Sequence, residues 1–239
     1  MNEPKKKASV FIAILTLDER DGWLAPGMAQ FLVAMSHYSK ERAISLQLSA
    51  NKKPVDFARN SIVKEFLTSG YDWMLTIDND MAPPPNLLDM VDRAEEHMRI
   101  LVPKFYTFSP QVKAYARNPS LPLILMWNCL TPQDQKKEWR ELESAGTGAM
   151  FIHREVLDRL PAPWFRSSFD EMGATLIGED LKFCLNARTV GFSTWGNQNF
   201  EVDHFKTVSL SALARSSGVG YLIPTTPPPG VPPQIKGEL

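Results

Sequence analysis

Residues 53–81 read KPVDFARNSIVKEFLTSGYDWMLTIDNDM, and the order of patterns within them decides the fold. Ile62, Val63 and Phe66 recur at helical spacing, which predicts a helix from Phe57 to Leu67. Trp73 to Ile77 is a mostly apolar run of strand length, with Thr76 its one hydroxyl, as a buried strand requires. The run ends in Asp78-Asn79-Asp80. On an extended backbone, carboxylates at i and i+2 share a side, so Asp78 and Asp80 can converge on one cation while Asn79 faces elsewhere. The carboxyl end of a strand is also where open α/β sheets bind ligands, and a hard cation such as Mg²⁺ or Mn²⁺ there can bridge to phosphate oxygens. An isolated acidic triplet is more often a solvated turn or a helix cap, so this one needs support from its surroundings.

Outward from that stretch, strand-like runs alternate with helical patterns. Ser9–Leu17, Ala43–Leu48, Ile100–Val102 and Leu121–Trp127 read as strands, and Met28–Tyr38, with Phe31, Leu32 and Met35 on one face, reads as a crossover helix. Alternation of this kind predicts an α/β fold with a mixed, mostly parallel, Rossmann-like sheet flanked by helices. Pro83-Pro84-Pro85 stops regular structure, and Asn86 is expected to cap a helix through Leu87, Leu88, Met90 and Val91. Further on come a Gly-rich strand GTGAMFIHR, a short helix EVLDRL, a Pro-Trp loop and a helix from Glu179 to about Arg188 before Gly191. From Pro224 the tail PTTPPPGVPPQIKGEL carries no apolar periodicity. The expected organisation is one domain over 1–223, with a donor half at about 8–102 and an acceptor half at about 103–210, and a disordered Pro-rich extension at 224–239.

At 239 residues and 44% hydrophobic, the chain can bury a substantial single core. The net charge of -1 gives no overall drive toward nucleic acid or an anionic membrane. Cys129 and Cys184 lie far apart without metal-ligand spacing, which argues against a disulfide framework or a structural zinc and fits a reducing cytoplasm. The apolar run after the basic N-terminus is cut short by Asp18, Glu19 and Arg20, and no other stretch is long enough to span a bilayer.

Taken together, the ARN of Ala58-Arg59-Asn60, the Ser69-Gly70 turn and the strand ending in Asp78-Asn79-Asp80 resemble the family 2-like GT-A glycosyltransferases. A second ordered match, GTGAMFIHREVLDRL continuing into FDEMGATLIGEDLKFCLNARTVGF, is similar to that family's acceptor-side strand and ED helix. The resemblance runs from about Ser9 to Thr207. It implies a nucleotide-diphosphate sugar donor, with a UDP-sugar favoured, held through Mn²⁺ or Mg²⁺ on Asp78 and Asp80. It further implies a general base at the start of the ED helix, Asp180 in preference to Glu179, where the helix dipole would keep a carboxylate ionised. His204, following FEVDHF, matches the place of a third metal ligand, and an imidazole there suits Mn²⁺ better than Mg²⁺. Arg59 and Asn60 fall near the donor nucleotide, Thr16, Leu17 and Asp18 near its base, and Asn79 and Gly148 beside the diphosphate. After the second strand the family commonly supplies an acidic residue to read the base, whereas SLQLSANKKP offers Ser49, Asn51 and two lysines.

The acceptor is less determined. Between His97 and Gln133, Arg99, Lys104, Lys113 and Arg117 interleave with Phe105, Tyr106, Phe108 and Tyr115 and no acid occurs. Such a stretch can serve a diphosphate, an anionic acceptor or a flipped-out base, so a glycan and a hydroxymethylated base of phage DNA are both expected acceptors. Trp164 and Phe165 in the Pro-Trp loop are candidates to stack on a sugar or base, or equally to plug the core. His37 and His97 are expected in helices, and His153 at the end of a strand. Two rivals stand beside sugar transfer: a nucleotidyltransferase, which lacks here the Gly-rich basic loop it needs after the first strand, and a non-catalytic nucleotide-sugar-binding module. Oligomeric state is left open.

Overall fold

The computed structural model describes residues 7–16, 24–50, 54–105, 137–173 and 175–205. In chain order the elements are β1 (Val10–Thr16), α1 (Met28–Tyr38), β2 (Ile44–Ala50), α2 (Val55–Ser69), β3 (Trp73–Asp78), β4 (Met81–Ala82), α3 (Asp89–Arg93) and β5 (Ile100–Lys104). There follow β6 (Trp139–Leu142), β7 (Ala149–His153), α4 (Arg154–Arg159), β8 (Ser168–Phe169), β9 (Thr175–Ile177), α5 (Glu179–Thr189), β10 (Thr194–Glu201) and β11 (Asp203–His204).

Seven strands form the central sheet in the order β2-β1-β3-β7-β5-β10-β6. β1 pairs in parallel with both β2 and β3, and β10 with β5, while β7 and β6 run against their neighbours. The sheet is therefore mixed and mostly parallel, as the alternating pattern predicts. Every residue of β1, VFIAILT, is buried, because a central strand with helices on both faces has no solvent side. Phe31 and Phe66 of α1 and α2, Phe151 of β7 and Phe183 of α5 are fully buried in one continuous core. Gly70 closes α2 at φ 76°, a left-handed position that a Cβ would strain.

The differences from expectation are local. α3 starts at Asp89 with Leu88 at its N-cap; Asn86 only accepts the Asp89 N–H through its backbone carbonyl, in a turn that the buried Leu87 and Leu88 anchor. His97 lies in a turn, not a helix, with its ring edge-on to Trp195 at 5.0 Å. His153 ends β7 as expected and caps α4, its Nδ1 accepting the Glu155 N–H. Leu17, Asp18, Asn51, the expected strand Leu121–Trp127, the aromatic-basic positions from Tyr106 to Arg117, Cys129 and the tail 224–239 lie outside the described residues. Among the described residues no helix is long and apolar enough to cross a membrane.

Candidate active site at the carboxyl end of β3

β3 ends at Asp78, and Asn79 and Asp80 form the turn into β4, so strand alternation does not carry through to Asp80. The turn is fixed through its backbone. Asp78 N–H donates to the Gly148 carbonyl (2.8 Å), Asn79 N–H to Leu15 (3.0 Å), and the Asn79 carbonyl accepts from Ala25 N–H (2.8 Å). At Gly148 a Cβ would sit 3.1 Å from the Met81 terminal carbon, so the absence of a side chain is what lets the start of β7 close over the turn.

β11 pairs antiparallel with β4, with His204 opposite Met81. Phe205 N–H donates to the Asp80 carbonyl (2.8 Å), and His204 Nε2 stands 3.4 Å from Asp80 Oδ2. A two-residue strand near the C-terminal end of the described chain thus delivers an imidazole to a carboxylate more than a hundred positions earlier.

Arg59 joins the turn to α5. Only 5% exposed, it places Nη2 3.4 Å from Asp78 Oδ1 and Nε 3.3 Å from Glu179 Oε1, while its buried Nη1 has no hydrogen-bond partner. The next residue, Asp180, sits at the first turn of α5. The helix N-terminus is not the only influence on this carboxylate: burial raises its pKa, and the neighbouring Glu179 charge adds to the rise. The Leu181 N–H, which donates to Oδ1 at 2.7 Å, and Arg59 oppose that rise without cancelling it. Two glycines crowd this side chain. A Cβ at Gly178 would lie 2.9 Å from Asp180 Oδ1, and one at Gly146 3.5 Å from Oδ2. Neither glycine stood out in the sequence, although each belongs to a motif that did, GTG and GED.

Arg59, Asp78, Asp80, Gly148, Glu179, Asp180 and His204 are therefore brought to one end of the sheet. The remaining candidates are placed differently. Thr16, buried, ends β1 on the same side. Asn60 spends its amide within the protein: Nδ2 donates to the Asp56 and Phe165 carbonyls, both at 2.7 Å, and Oδ1 accepts from Phe165 N–H. Phe165 is 1% exposed and stacked on Phe183 at 4.6 Å, so it presents no face to an acceptor. Trp164 packs against the core and donates its Nε1–H to the Leu157 carbonyl (2.8 Å).

For a divalent cation the donor chemistry is suitable: two carboxylates and an imidazole, the mixture that Mn²⁺ accepts. The three are not drawn together. Asp78 is turned to Arg59, and among the described residues no three His, Cys, Asp or Glu side chains stand as one metal-binding group. Asp80 and His204 form a close pair, while Asp78 meets Arg59 through Oδ1. Elsewhere, a groove of about 590 Å³ lies beside α1, lined by Lys7, Gln30, Val33, Tyr38, Glu41 and Asp89, and one of about 360 Å³ lies beside Asp72, His153 and Arg154. The polar rim of the first is already satisfied, Lys7 on Glu41 and Tyr38 on Asp89, so it offers no unspent chemistry.

No family model matches the chain, and no curated protein matches it by sequence. Solved structures do. The protein A197 from STIV is similar over 84% of this chain and 87% of its own, at 17% identity and a TM-score of 0.55. GalNAc-T7, solved with UDP, GalNAc and Mn²⁺, is similar over 90% of this chain at 13% identity and a TM-score of 0.52; the chain spans 48% of that protein. The sheet and its helices have the GT-A-like glycosyltransferase fold.

Proposed function

We propose that the chain is a metal-dependent glycosyltransferase that moves a sugar from a nucleotide-diphosphate sugar, a UDP-sugar by preference, to a hydroxyl acceptor with inversion. The observation that carries this reading is Arg59 bridging Asp78, at the end of β3, to Glu179 at the start of α5, with Asp80, paired to His204, in the turn that follows Asp78. Asp180 is the general base. Burial strengthens its hold on a proton, which suits a carboxylate that must take one from an attacking hydroxyl. As the hydroxyl oxygen bonds to the anomeric carbon, the bond from that carbon to the diphosphate breaks and the hydroxyl proton passes to Asp180. Asp80, His204 and, once released, Asp78 would hold the cation, which neutralises the leaving diphosphate. The GalNAc-T7 structure contains UDP, GalNAc and Mn²⁺, in keeping with this donor and ion.

On the acceptor side, Phe169, Met172 and Leu176 are exposed in the β8–β9 hairpin that leads to α5, beside the exposed acids Asp170 and Glu171. The two acids disfavour a polyanion at this hairpin, which supports a glycan acceptor over a modified DNA base. A cytoplasmic location is part of the same reading.

The test is Mn²⁺-stimulated release of nucleoside diphosphate from a panel of nucleotide sugars. Asp180→Asn and Asp80→Ala are each expected to lower the rate by about 10²–10⁴-fold. Full activity in both overturns the proposal. Release of sugar 1-phosphate instead identifies nucleotidyl transfer, and donor binding without product identifies a binding module.

A further inference from the structure

Arg59 is held more loosely than a buried arginine ordinarily is. Charge-assisted hydrogen bonds to carboxylates close to about 2.7–2.9 Å and favour the two-pronged geometry. Here the guanidinium makes one long contact to each of two carboxylates, 3.4 Å to Asp78 and 3.3 Å to Glu179, and leaves a buried nitrogen unbonded. One carboxylate belongs to the end of β3, the other to the first turn of α5. A guanidinium divided in this way is poised to move toward either side.

We propose that Arg59 is a positioning residue that keeps the Asp78 carboxylate in reserve and yields it to an arriving divalent cation, transferring its own charge to Glu179. The inference rests on the metal assignment made above. Asp78 serves Arg59 and a cation in turn, because both positive charges compete for one carboxylate and repel each other at close range. Glu179 makes the exchange possible: without it, a guanidinium displaced from Asp78 would keep no charge-assisted hydrogen bond in a buried place. The assignment also divides the ED pair by task, with Glu179 receiving Arg59 and Asp180 free to face the acceptor.

The two partners of Arg59 predict opposite responses to mutation. Arg59→Gln removes the competitor, and Mn²⁺ added alone to the full-length protein is expected to bind about tenfold more tightly, measured by calorimetry or by the Mn²⁺ resonance signal. Glu179→Gln leaves Asp78 as the one carboxylate in direct contact with Arg59, and Mn²⁺ is expected to bind about threefold more weakly. Arg59→Lys keeps the charge and is expected to stay within about twofold of the parent. An ion pair that merely holds the fold predicts weaker binding in both Gln variants, and that result overturns the proposal, as does unchanged affinity in both. Should Arg59→Gln fail to fold, Glu179→Gln decides alone: undiminished affinity overturns. Absence of Mn²⁺ binding by the parent overturns it together with the metal assignment. If the affinities shift as stated but no nucleotide sugar is turned over, the transferase reading falls and the exchange stands. If product forms while both variants bind more weakly, the exchange alone falls.

Discussion

The two ends of β3 carry similar residues arranged to opposite effect. At the entry, Asp72 accepts from Ser9 twice, from its N–H at 2.8 Å and its hydroxyl at 2.7 Å. Beside it Arg154 uses three nitrogens on three carbonyls, those of Tyr71, Leu67 and Phe66, at 2.8–2.9 Å, with its guanidinium over the Phe66 ring. At the exit, six residues later, Asp78 meets Arg59 at 3.4 Å and that arginine keeps a buried nitrogen unpaired. Closed geometry at the entry belongs to folding. Open geometry at the exit costs stability, and such a cost is expected where groups must rearrange around a ligand.

The largest effect that can break this contrast is at the entry. Arg154 donates to two carbonyls in the last turn of α2, those of Leu67 and Phe66, the latter shared with the Ser69 hydroxyl, and places a positive charge at the negative end of its dipole. Arg154→Ala is expected to cost about 2–3 kcal/mol, seen as a fall of roughly 5–10 °C in melting temperature for a domain of this size. Mn²⁺ affinity should not follow, because the exit of β3 is untouched. A stable Arg154→Ala variant, or one that loses Mn²⁺ in proportion, would dissolve the distinction between the two ends.

These two ends were not equally legible in the sequence. Hydrophobic periodicity gives β1, β3 and α1 almost to the residue, since a buried strand or an amphipathic helix must show its period, while β7 starts three residues later than the GTGAMFIHR stretch read as a strand. The acidic turn and the start of α5 are legible as motifs because chemistry restricts which residues can stand there. Arg154 passes unnoticed: whether an arginine after a strand is solvated or caps a helix eighty residues back depends on the three-dimensional neighbourhood, which local pattern does not encode. The same limit leaves Phe165 with two readings, since an aromatic in a Pro-rich loop reads alike whether it lies against a sugar or against Phe183. Asn60 is the converse case. The motif draws attention to it as a ligand residue, while its amide ties α2 to the loop around Phe165.

A smaller effect sharpens the entry. Burial pushes the Asp72 carboxyl up, but the two Ser9 hydrogen bonds outweigh it, and the net pKa is lowered. A lowered folded-state pKa contributes stability that is present above the unfolded value of about 3.9 and is lost as pH falls through the folded one. Asp72→Asn is therefore expected to lower stability at pH 7, by less than about 1 kcal/mol because the carboxylate is exposed and screened. The gap between variant and parent should narrow below about pH 4. A melting-temperature series from pH 3 to pH 8 reads this directly, and a gap that does not change with pH would show that the Ser9 bonds are not what sets it.

The smallest effect has the opposite sign and comes from the exit. Asp180 has its pKa raised by burial, so its contribution to stability is fully present below the unfolded value of about 3.9 and is lost as pH rises through the folded one. At pH 7, with metal chelated, the folded chain bears a buried carboxylate that Asn would replace without charge, while the amide oxygen can still accept the Leu181 N–H. Asp180→Asn should then melt about 1–2 °C above the parent, a few tenths of a kcal/mol, with the advantage vanishing near pH 4. Loss of activity together with a gain in stability is what a residue kept for chemistry produces, and Asp72→Asn cannot produce it. If Asp180→Asn instead melts lower at pH 7, the hydrogen bonds around this carboxylate outweigh its burial, and the exit of β3 is as closed as its entry.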